Sequence, residues 1–238
     1  MKNKIINIFL LFSLFIHAFG QISNEKPHAD RFFMSNGDTV WYSSIYTWKH
    51  SDVNWLRNSR THLYALVDSN LNVLTNFEFG YHFAFDSGYN CTAVMRNGKW
   101  GVVNRKGEDV VDFKYILPPQ FYWDTTLNKE FYIFTHKNKM GVIDSNGKTI
   151  VPFKWNEIIY LNYAIFELKN SRSHYLYFMK KGIKVPKKKY SEICSDFNRY
   201  GKAIILDSKT NKYGIMDTSC TIIQPCIYNN KEVRKFLE

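Results

Sequence analysis

The sequence predicts an all-β protein, an antiparallel meander of about five degenerate hairpin repeats arranged as an open twisted array or solenoid. Aromatic residues make up 17% of the chain, and rings are enriched in strands because they pack well on a pleated, half-buried surface. Short β-branched runs also recur on either side of Gly-containing turns, which is typical of hairpins. Finally, one short segment recurs along the chain with a period of roughly 35–40 residues, as in repeat proteins.

The N-terminus has the layout of a secretory signal peptide over residues 1–20. Lys2 and Lys4 form a short positive region, residues 5–16 are almost entirely apolar, and Ala18 and Gly20 supply small residues before a cleavage point. The apolar run is shorter than the roughly 20 residues of a membrane-spanning helix, although a retained N-terminal anchor is the alternative. We therefore expect export to the periplasm or the cell surface, with no transmembrane segment in the mature chain.

The chain is basic, with 32 Lys and Arg against 21 Asp and Glu and a net charge of +11. Such a balance favours anionic partners. Because export argues against nucleic acid, we expect an acidic glycan, another anionic surface or an unknown protein as partner. The alternative is that the charge serves solubility alone.

The four cysteines are Cys91, Cys194, Cys220 and Cys226. Export makes disulfides possible, but the spacings do not determine their pairing. No Cys-x-x-Cys pair occurs, which argues against a zinc site.

The repeat has five copies, whose first aligned positions are residues 64, 100, 140, 175 and 213. Three copies align without gaps, over residues 99–115, 139–155 and 212–228. Two weaker copies, over residues 64–79 and 175–190, fit the same frame, with Pro186 one position early in the second.

The best copies share one order: an aromatic residue or Met, Gly, two aliphatic residues, Asp or Asn, a turn, an aliphatic pair, Pro and an aromatic residue. This order resembles the bacterial WG (Trp-Gly) repeat over residues 61–230. Ala65 and Leu176 depart from it, since both stand where the other copies have Gly. The resemblance implies a β-repeat architecture but no defined activity. The repeat positions are Trp100, Gly101, Gly107, Tyr115, Gly141, Gly147, Trp155, Gly214 and Tyr228.

Gly inside a strand weakens it and recurs where another group approaches the backbone closely. We expect each strand Gly of the repeat to lie under an aromatic ring from the end of the following strand. The expected donors are Tyr115 for Gly101, Trp155 for Gly141 and Tyr228 for Gly214. The alternative is a plain β-bulge glycine.

The turns between the paired strands have their own signals. Asn146-Gly147 is a hairpin signal because both residues tolerate positive φ. Asp144 and Asp217 precede tight turns, where a carboxylate can accept a hydrogen bond from the backbone two residues on. A further strand is expected in each unit, near residues 131–135, 164–168 and 203–206.

The predicted organisation is a signal peptide at 1–20, an N-terminal hairpin or cap at 21–60, the repeat domain at 61–230 and a tail at 231–238. Asn36-Gly37-Asp38 predicts a hairpin inside the N-terminal segment. Closure into a five-bladed propeller is the alternative to an open array. Open arrays need polar caps, and the tail is a candidate for one.

Enzyme motifs are missing from the sequence. It has no G-x-S-x-G elbow, no H-E-x-x-H helix and no phosphate-binding or dinucleotide glycine pattern. The histidines never pair at metal-ligand spacing. We therefore predict no catalytic residue, no metal and no cofactor, and treat an envelope hydrolase or glycan-processing enzyme as the alternative.

Candidate binding residues lie where the copies differ from one another. Phe121, Tyr122 and Trp123 belong to an insertion at 118–123, and insertions in repeat arrays map to loops that often bind. Lys187, Lys188 and Lys189 end a lysine-rich stretch suited to an acidic glycan or lipid headgroup. The alternatives are rings that cover the end of the core and lysines that protect a strand edge. The sequence thus indicates an exported, non-catalytic repeat protein that contacts protein or glycan.

Overall fold

The chain folds almost entirely as antiparallel sheet in a computed structural model, which describes residues 30–33, 39–46, 51–85, 89–171, 173–179, 182–186 and 192–238. The signal-peptide prediction and the turn at Asn36-Gly37-Asp38 lie outside these residues. The two strands beside that turn pair with each other, so the expected N-terminal hairpin is present.

The first sheet has eight strands in sequence order: β1 Asp30–Phe33, β2 Thr39–Tyr46, β3 Val53–Asn58, β4 Tyr64–Asp68, β5 Phe79–His82, β6 Cys91–Arg96, β7 Lys99–Asn104 and β8 Asp109–Tyr115. The second contains β9 Gln120–Asp124, β10 Lys129–His136, β11 Lys139–Asp144 and β12 Thr149–Trp155. The third contains β13 Glu157–Tyr160, β14 Ile165–Asn170, β15 Ser173–Phe178 and β16 Ile183–Pro186. The fourth contains β17 Glu192–Ile193, β18 Lys202–Asp207, β19 Lys212–Asp217 and β20 Ile222–Tyr228.

These strands form five units of four: β1–β4, β5–β8, β9–β12, β13–β16 and β17–β20. The first two units are joined by a single pair, Tyr64 with Phe79. The additional strands expected from the sequence are present as β10, β14 and β18. Each unit also has an outer first strand, such as β9, because the connections between the repeat segments pair with the sheet.

The strand Gly of the repeat lies at a bulge. Trp100 of β7 pairs with Tyr115 of β8. Two residues later Val102 pairs with Val111, so β8 carries two extra residues opposite Gly101. The same shift recurs between β11 and β12 and between β19 and β20. A bulge of this kind increases the local twist and re-aims a side chain.

The side chain aimed at the Gly comes from the middle of the bulge. A Cβ atom on Gly101 would lie 2.9 Å from the ring of Phe113, and one on Gly141 would lie 2.8 Å from the ring of Phe153. At Gly214 the nearest side-chain atom is Sγ of Cys226, at 3.0 Å. The close approach is therefore confirmed together with the bulge.

The expected ring donors were wrong by two residues, and at Gly214 the approaching side chain is Cys226 and not a ring. Tyr115, Trp155 and Tyr228 instead pair with the residue before each Gly, namely Trp100, Met140 and Tyr213. The bulge explains the difference, because its two extra residues turn the middle side chain, not the last one, toward the Gly.

The turns after these strands share one hydrogen-bond pattern. Oδ1 of Asp144 accepts from the backbone N–H of Asn146 at 3.0 Å and of Lys148 at 2.9 Å. Oδ1 of Asp217 accepts from the N–H of Ser219 at 2.9 Å and from the N–H four residues on at 2.8 Å. The structural role expected for these two carboxylates is confirmed.

The hydrophobic core lies in layers between successive units. Alternate residues of one strand serve different layers: Tyr132 and Phe134 of β10 pack toward the second unit, whereas Phe131 and Ile133 pack toward the fourth. This follows from the period of two in strands, which sends neighbouring side chains to opposite faces of a sheet. The third unit is therefore buried on both faces by its neighbours.

The C-terminal segment covers the outer face of the last unit. Helix α1, Asn230–Val233, begins at an Asn229 cap and is followed by a 3-10 turn at Arg234–Phe236. Val233 is fully buried against Ile204 and Ile215. This arrangement fits the polar-capped open array, and none of the sheets in the described residues closes into a barrel.

The helices described here include none with the length and apolar character needed to cross a bilayer.

The fourth unit differs from the others at its hairpin. Leu176 stands in place of the Gly. Strand β15 pairs with β16 in continuous register, from the pair of Phe178 with Ile183 to the pair of Tyr175 with Pro186, without a bulge. The hairpin is correspondingly shorter, which accounts for the early Pro186 in the sequence alignment.

Candidate binding surface

The predicted aromatic insertion is an edge strand and not a loop. Residues 120–124 form β9, which pairs with β10 and lies at the edge of its sheet. The loop prediction was wrong because strand pairing with β10 satisfies the backbone of this segment. The insertion keeps its candidate rings, but the strand separates them onto two faces.

Phe121 and Trp123 share the face toward the second unit and meet a ring from that unit. Tyr89 lies 4.4 Å from Phe121 and 5.6 Å from Trp123 between ring centroids. Phe121 also packs 5.3 Å from the buried Tyr132. Phe121 keeps 36% of its surface exposed, and Tyr89 and Trp123 are half-buried. We call Tyr89, Phe121 and Trp123 the ring seam.

Tyr122 points to the other face. Its ring lies 4.9 Å from Tyr160, and its hydroxyl donates a hydrogen bond of 3.1 Å to Oε1 of Gln120. Burial raises the pKa of this phenol. Of the three predicted rings, two therefore form a joint surface and Tyr122 packs toward the fourth unit.

A buried carboxylate holds the two units together beside the seam. Glu130, which pairs with Trp123 across the strands, is 1% exposed. It accepts a hydrogen bond from the backbone N–H of Asn90 and one of 3.0 Å from the hydroxyl of Tyr132. Burial raises the pKa of Glu130, and these hydrogen bonds offset part of that effect. Asn90 follows Tyr89, so this contact positions the seam.

Cys91 lies in the same buried cluster. Its thiol is 3.7 Å from the backbone carbonyl of Ser145, and burial and the nearby Glu130 raise its pKa to about 12. A thiol in this state is not a nucleophile at neutral pH. None of the four cysteines is in a disulfide.

A second buried carboxylate joins the third unit to the fourth. Asp124 is fully buried and accepts from Tyr160 Oη at 2.7 Å, from Leu127 N at 2.8 Å and from two groups of Thr126. It also accepts from the backbone N–H of Ala164. Burial alone would raise the pKa of Asp124, but the hydrogen bonds lower it. Both buried acids are thus engaged in holding units together.

A further set of rings lies on the second unit, away from the seam. Trp100, the Trp of the repeat, lies 5.5 Å from Tyr81 and 5.4 Å from Phe83. Tyr81 is 52% exposed, whereas Trp100 is buried. This set lies within one unit and provides a comparison surface for the seam.

Other predicted residues fall elsewhere. Lys187, Lys188 and Lys189 lie outside the described residues, so the lysine patch stays a prediction. No group of three or more His, Cys, Asp or Glu side chains in the described part of the chain is placed to hold a metal ion.

The prediction from sequence missed Tyr89, because nothing in its local sequence shows that a residue before β6 reaches a strand thirty residues later.

Comparison with known families supports the repeat assignment. Residues 140–170, which run from β11 to the end of β14, match the model of the family described as the WG containing repeat. The resemblance drawn from the sequence is confirmed for this segment. No curated protein matches the chain significantly.

Solved structures resemble the chain only at low similarity. A eukaryotic initiation factor is 12% identical with a TM-score of 0.44, over 71% of this chain and 49% of that one. Hsv2 of Kluyvelomyces marxianus is 11% identical with a TM-score of 0.38, over 83% and 64%. A streptogramin B lyase is 11% identical with a TM-score of 0.33, over 88% and 72%. The chain thus spans about half of the first protein, and these TM-scores do not establish a shared fold.

Proposed function

We propose that this repeat protein is exported, is non-catalytic and binds an acidic glycan at the cell envelope through the ring seam. The observation that carries the proposal is the seam itself, in which the partly exposed rings of Phe121 and Trp123 lie 4.4 Å and 5.6 Å from Tyr89 of the adjacent unit. Aromatic residues are enriched at binding surfaces because they offer a large apolar face and a polar edge.

The seam is preorganised for binding. Tyr89 is positioned by the contact between Asn90 and the buried Glu130, and Phe121 is supported by Tyr132. Little ordering is therefore needed on binding, which lowers the entropic cost of association. An enzyme, by contrast, needs acids that are available to a substrate, and Glu130 and Asp124 already accept several protein hydrogen bonds.

An acidic glycan is favoured over a neutral one by charge. The chain carries a net charge of +11, of which only Lys2 and Lys4 lie in the predicted signal peptide, and a positive charge of this size attracts polyanions over distances comparable to the Debye length. A sequence layout typical of export directs this attraction to the cell envelope. The rings of the seam would then make the short-range contacts with the glycan, and the positively charged side chains of the protein would supply the long-range attraction.

Binding of the purified protein to immobilised polygalacturonate and heparin, with dextran as a neutral glycan, tests this function. We expect saturable binding to at least one acidic glycan and none to dextran. The double variant F121S/W123A should weaken that binding at least tenfold. The matched control Y81A removes an exposed ring outside the seam and should bind like the wild type.

Equal binding by the seam variant and the wild type would refute the role of the seam. Binding of a protein through the seam, with no affinity for acidic glycans, would refute the assignment of an acidic glycan as the ligand. Export is tested separately by sequencing the N-terminus of a C-terminally tagged chain. We expect Gln21 as the first residue, and an intact Met1 in the cytoplasm would contradict export.

A further inference from the structure

A cavity of about 350 Å³ lies between the third and fourth units, on the opposite side of the third unit from the ring seam. Its apolar lining residues are Leu127, Phe131, Ile150 and Met179. Its polar lining residues are Lys129, Glu130, Asp144, Lys148, Thr149 and Tyr177. The volume is within the range of small-molecule sites, roughly 300–1,000 Å³.

The irregular hairpin of the fourth unit explains why the opening exists here. In the third unit, the turn Gly147 packs directly against the backbone carbonyl of Val110 in the second unit. In the second unit, the turn Gly107 packs in the same way against Thr75 of the preceding copy. Each of these turns closes the gap to the unit before it.

The corresponding turn of the fourth unit does not close its gap. Among the described residues, a Cβ atom on Gly182 would meet no atom within 4 Å. The hairpin is shorter because Leu176 replaces the Gly of the repeat and no bulge forms. In the described part of the chain, the core layer between the third and fourth units is therefore open at this end, next to the β11–β12 turn.

The lining of the cavity is divided by polarity. Phe131 is fully buried, and Ile150, Tyr177 and Met179 pack against the core layer between the two units. Lys129 and Lys148 are exposed. An apolar floor beneath two exposed ammonium groups fits a molecule with an apolar body and an anionic head.

The two acids in the lining, Glu130 and Asp144, are buried, so the exposed charge at the opening comes from the two lysines. Oδ1 of Asp144 accepts two backbone hydrogen bonds of its own turn, from Asn146 and Lys148. Glu130 accepts from Asn90 and Tyr132 on the side of the second unit. Tyr177 adds a donor, because its phenol is protonated at neutral pH, and burial raises its pKa further.

We propose that this cavity binds a small amphiphile that carries one anionic headgroup, such as a medium-chain carboxylate. The apolar body lies on Ile150 and Met179, which are partly exposed, and the headgroup lies between Lys129 and Lys148. The cavity has the volume of roughly twelve water molecules, which suits a ligand of about ten non-hydrogen atoms. The site is separate from the ring seam and does not depend on glycan binding.

Titration calorimetry of the purified protein with octanoate, and with octanol as the matched neutral compound, tests the proposal. We expect saturable binding of octanoate and at least tenfold weaker binding of octanol. The variant K129Q/K148Q should lose at least tenfold in octanoate affinity with no change for octanol. The control K154Q/K209Q removes two exposed lysines outside the cavity and should bind octanoate like the wild type.

A second variant tests whether octanoate binds inside the cavity and not through a general attraction to the positive charge of the protein. I150W places a larger ring in the lining, and we expect it to abolish octanoate binding while the unfolding temperature stays close to that of the wild type. If I150W unfolds, M179W serves the same purpose from the fourth unit. Equal affinity for octanoate and octanol, unchanged affinity in K129Q/K148Q, or no saturable octanoate binding would each overturn the proposal.

Discussion

The ring of Phe153 occupies the space that a Cβ atom on Gly141 would need, at a distance of 2.8 Å. The bulge in β12 places this ring, because its two extra residues lie opposite Gly141. Phe113 and Gly101 have the same relationship in the preceding unit, where Arg96 also lies 3.8 Å above the ring. The Gly of the repeat is thus a packing requirement of the sheet.

The first prediction concerns this contact. G141A should lower the free energy of unfolding by about 2–3 kcal/mol, because the new methyl group overpacks the site against Phe153. F153A should cost a similar amount alone but relieve the clash, so G141A/F153A should be less destabilised than the sum of the two. Urea denaturation of the four proteins measures this coupling.

The matched control is W155A, since Trp155 pairs with Met140 and the atoms nearest to a Cβ on Gly141 all belong to Phe153. Its loss should add to that of G141A within about 0.5 kcal/mol. Strict additivity of G141A with F153A would contradict the packing of the Phe153 ring on Gly141.

The second prediction separates backbone strain from packing at the turns. Gly147 and Gly182 have similar positive φ values, 77° and 63°, so an added Cβ strains both by about 1 kcal/mol. Gly147 also packs against Val110, whereas a Cβ atom on Gly182 would meet none of the described residues within 4 Å. G147A should therefore destabilise the protein by at least about 2 kcal/mol more than G182A, measured by thermal or urea unfolding. Equal losses would show that the third turn does not dock on the second unit.

Much of the repeat could be predicted from sequence because its signals are local. Alternating apolar residues, the Asp144 turn and the position of Gly141 follow from strand period and backbone sterics. The donor ring could not be identified, since the bulge that places Phe153 depends on pairing with the neighbouring strand. The edge strand β9 was missed for the same reason, as its residues resemble a loop until β10 satisfies their backbone.

The ring seam shows the same limit at the level of function. Phe121 and Trp123 were identifiable as unusual aromatic residues, but their partner Tyr89 comes from another unit. Only the packing of one unit on the next brings these rings together. The cavity at the fourth unit likewise depends on a missing bulge, which the sequence showed merely as Leu176 and an early Pro186.

The third prediction concerns acid sensitivity. His82 stacks on Trp55 at 4.6 Å and contacts Tyr64 and Tyr46, and burial lowers its pKa from about 6.5 to about 4. Between these values the unfolded chain binds more protons than the folded one, so the free energy of unfolding falls as the pH decreases. The loss should reach about 2 kcal/mol at pH 5 and at most about 3 kcal/mol below pH 4.

The variant H82F keeps a ring against Trp55 and removes the titrating group. Urea denaturation at pH 7 and pH 5 should show a smaller difference for H82F than for the wild type, by about 2 kcal/mol. H62F changes an exposed histidine and should leave the difference unchanged. The prediction fails if H82F and the wild type lose the same stability between the two pH values.

The last prediction concerns Asp124, the carboxylate that joins the third unit to the fourth. Because it accepts from Tyr160, Leu127, Thr126 and Ala164, D124N should leave several buried donors without an acceptor and cost about 2–4 kcal/mol. D112N, at a side chain that is 82% exposed, should cost less than about 0.5 kcal/mol.

A double-mutant cycle with Y160F isolates the bond between the units. In the D124N background, removal of the Tyr160 hydroxyl by Y160F should cost about 1 kcal/mol less than it does in the wild type. The hydrogen bonds hold the pKa of Asp124 below its ordinary value, so this stabilisation is present above that value and is lost as the pH falls through the lower one. Equal effects of Y160F in both backgrounds would mean that the two units are held together by the apolar layer alone.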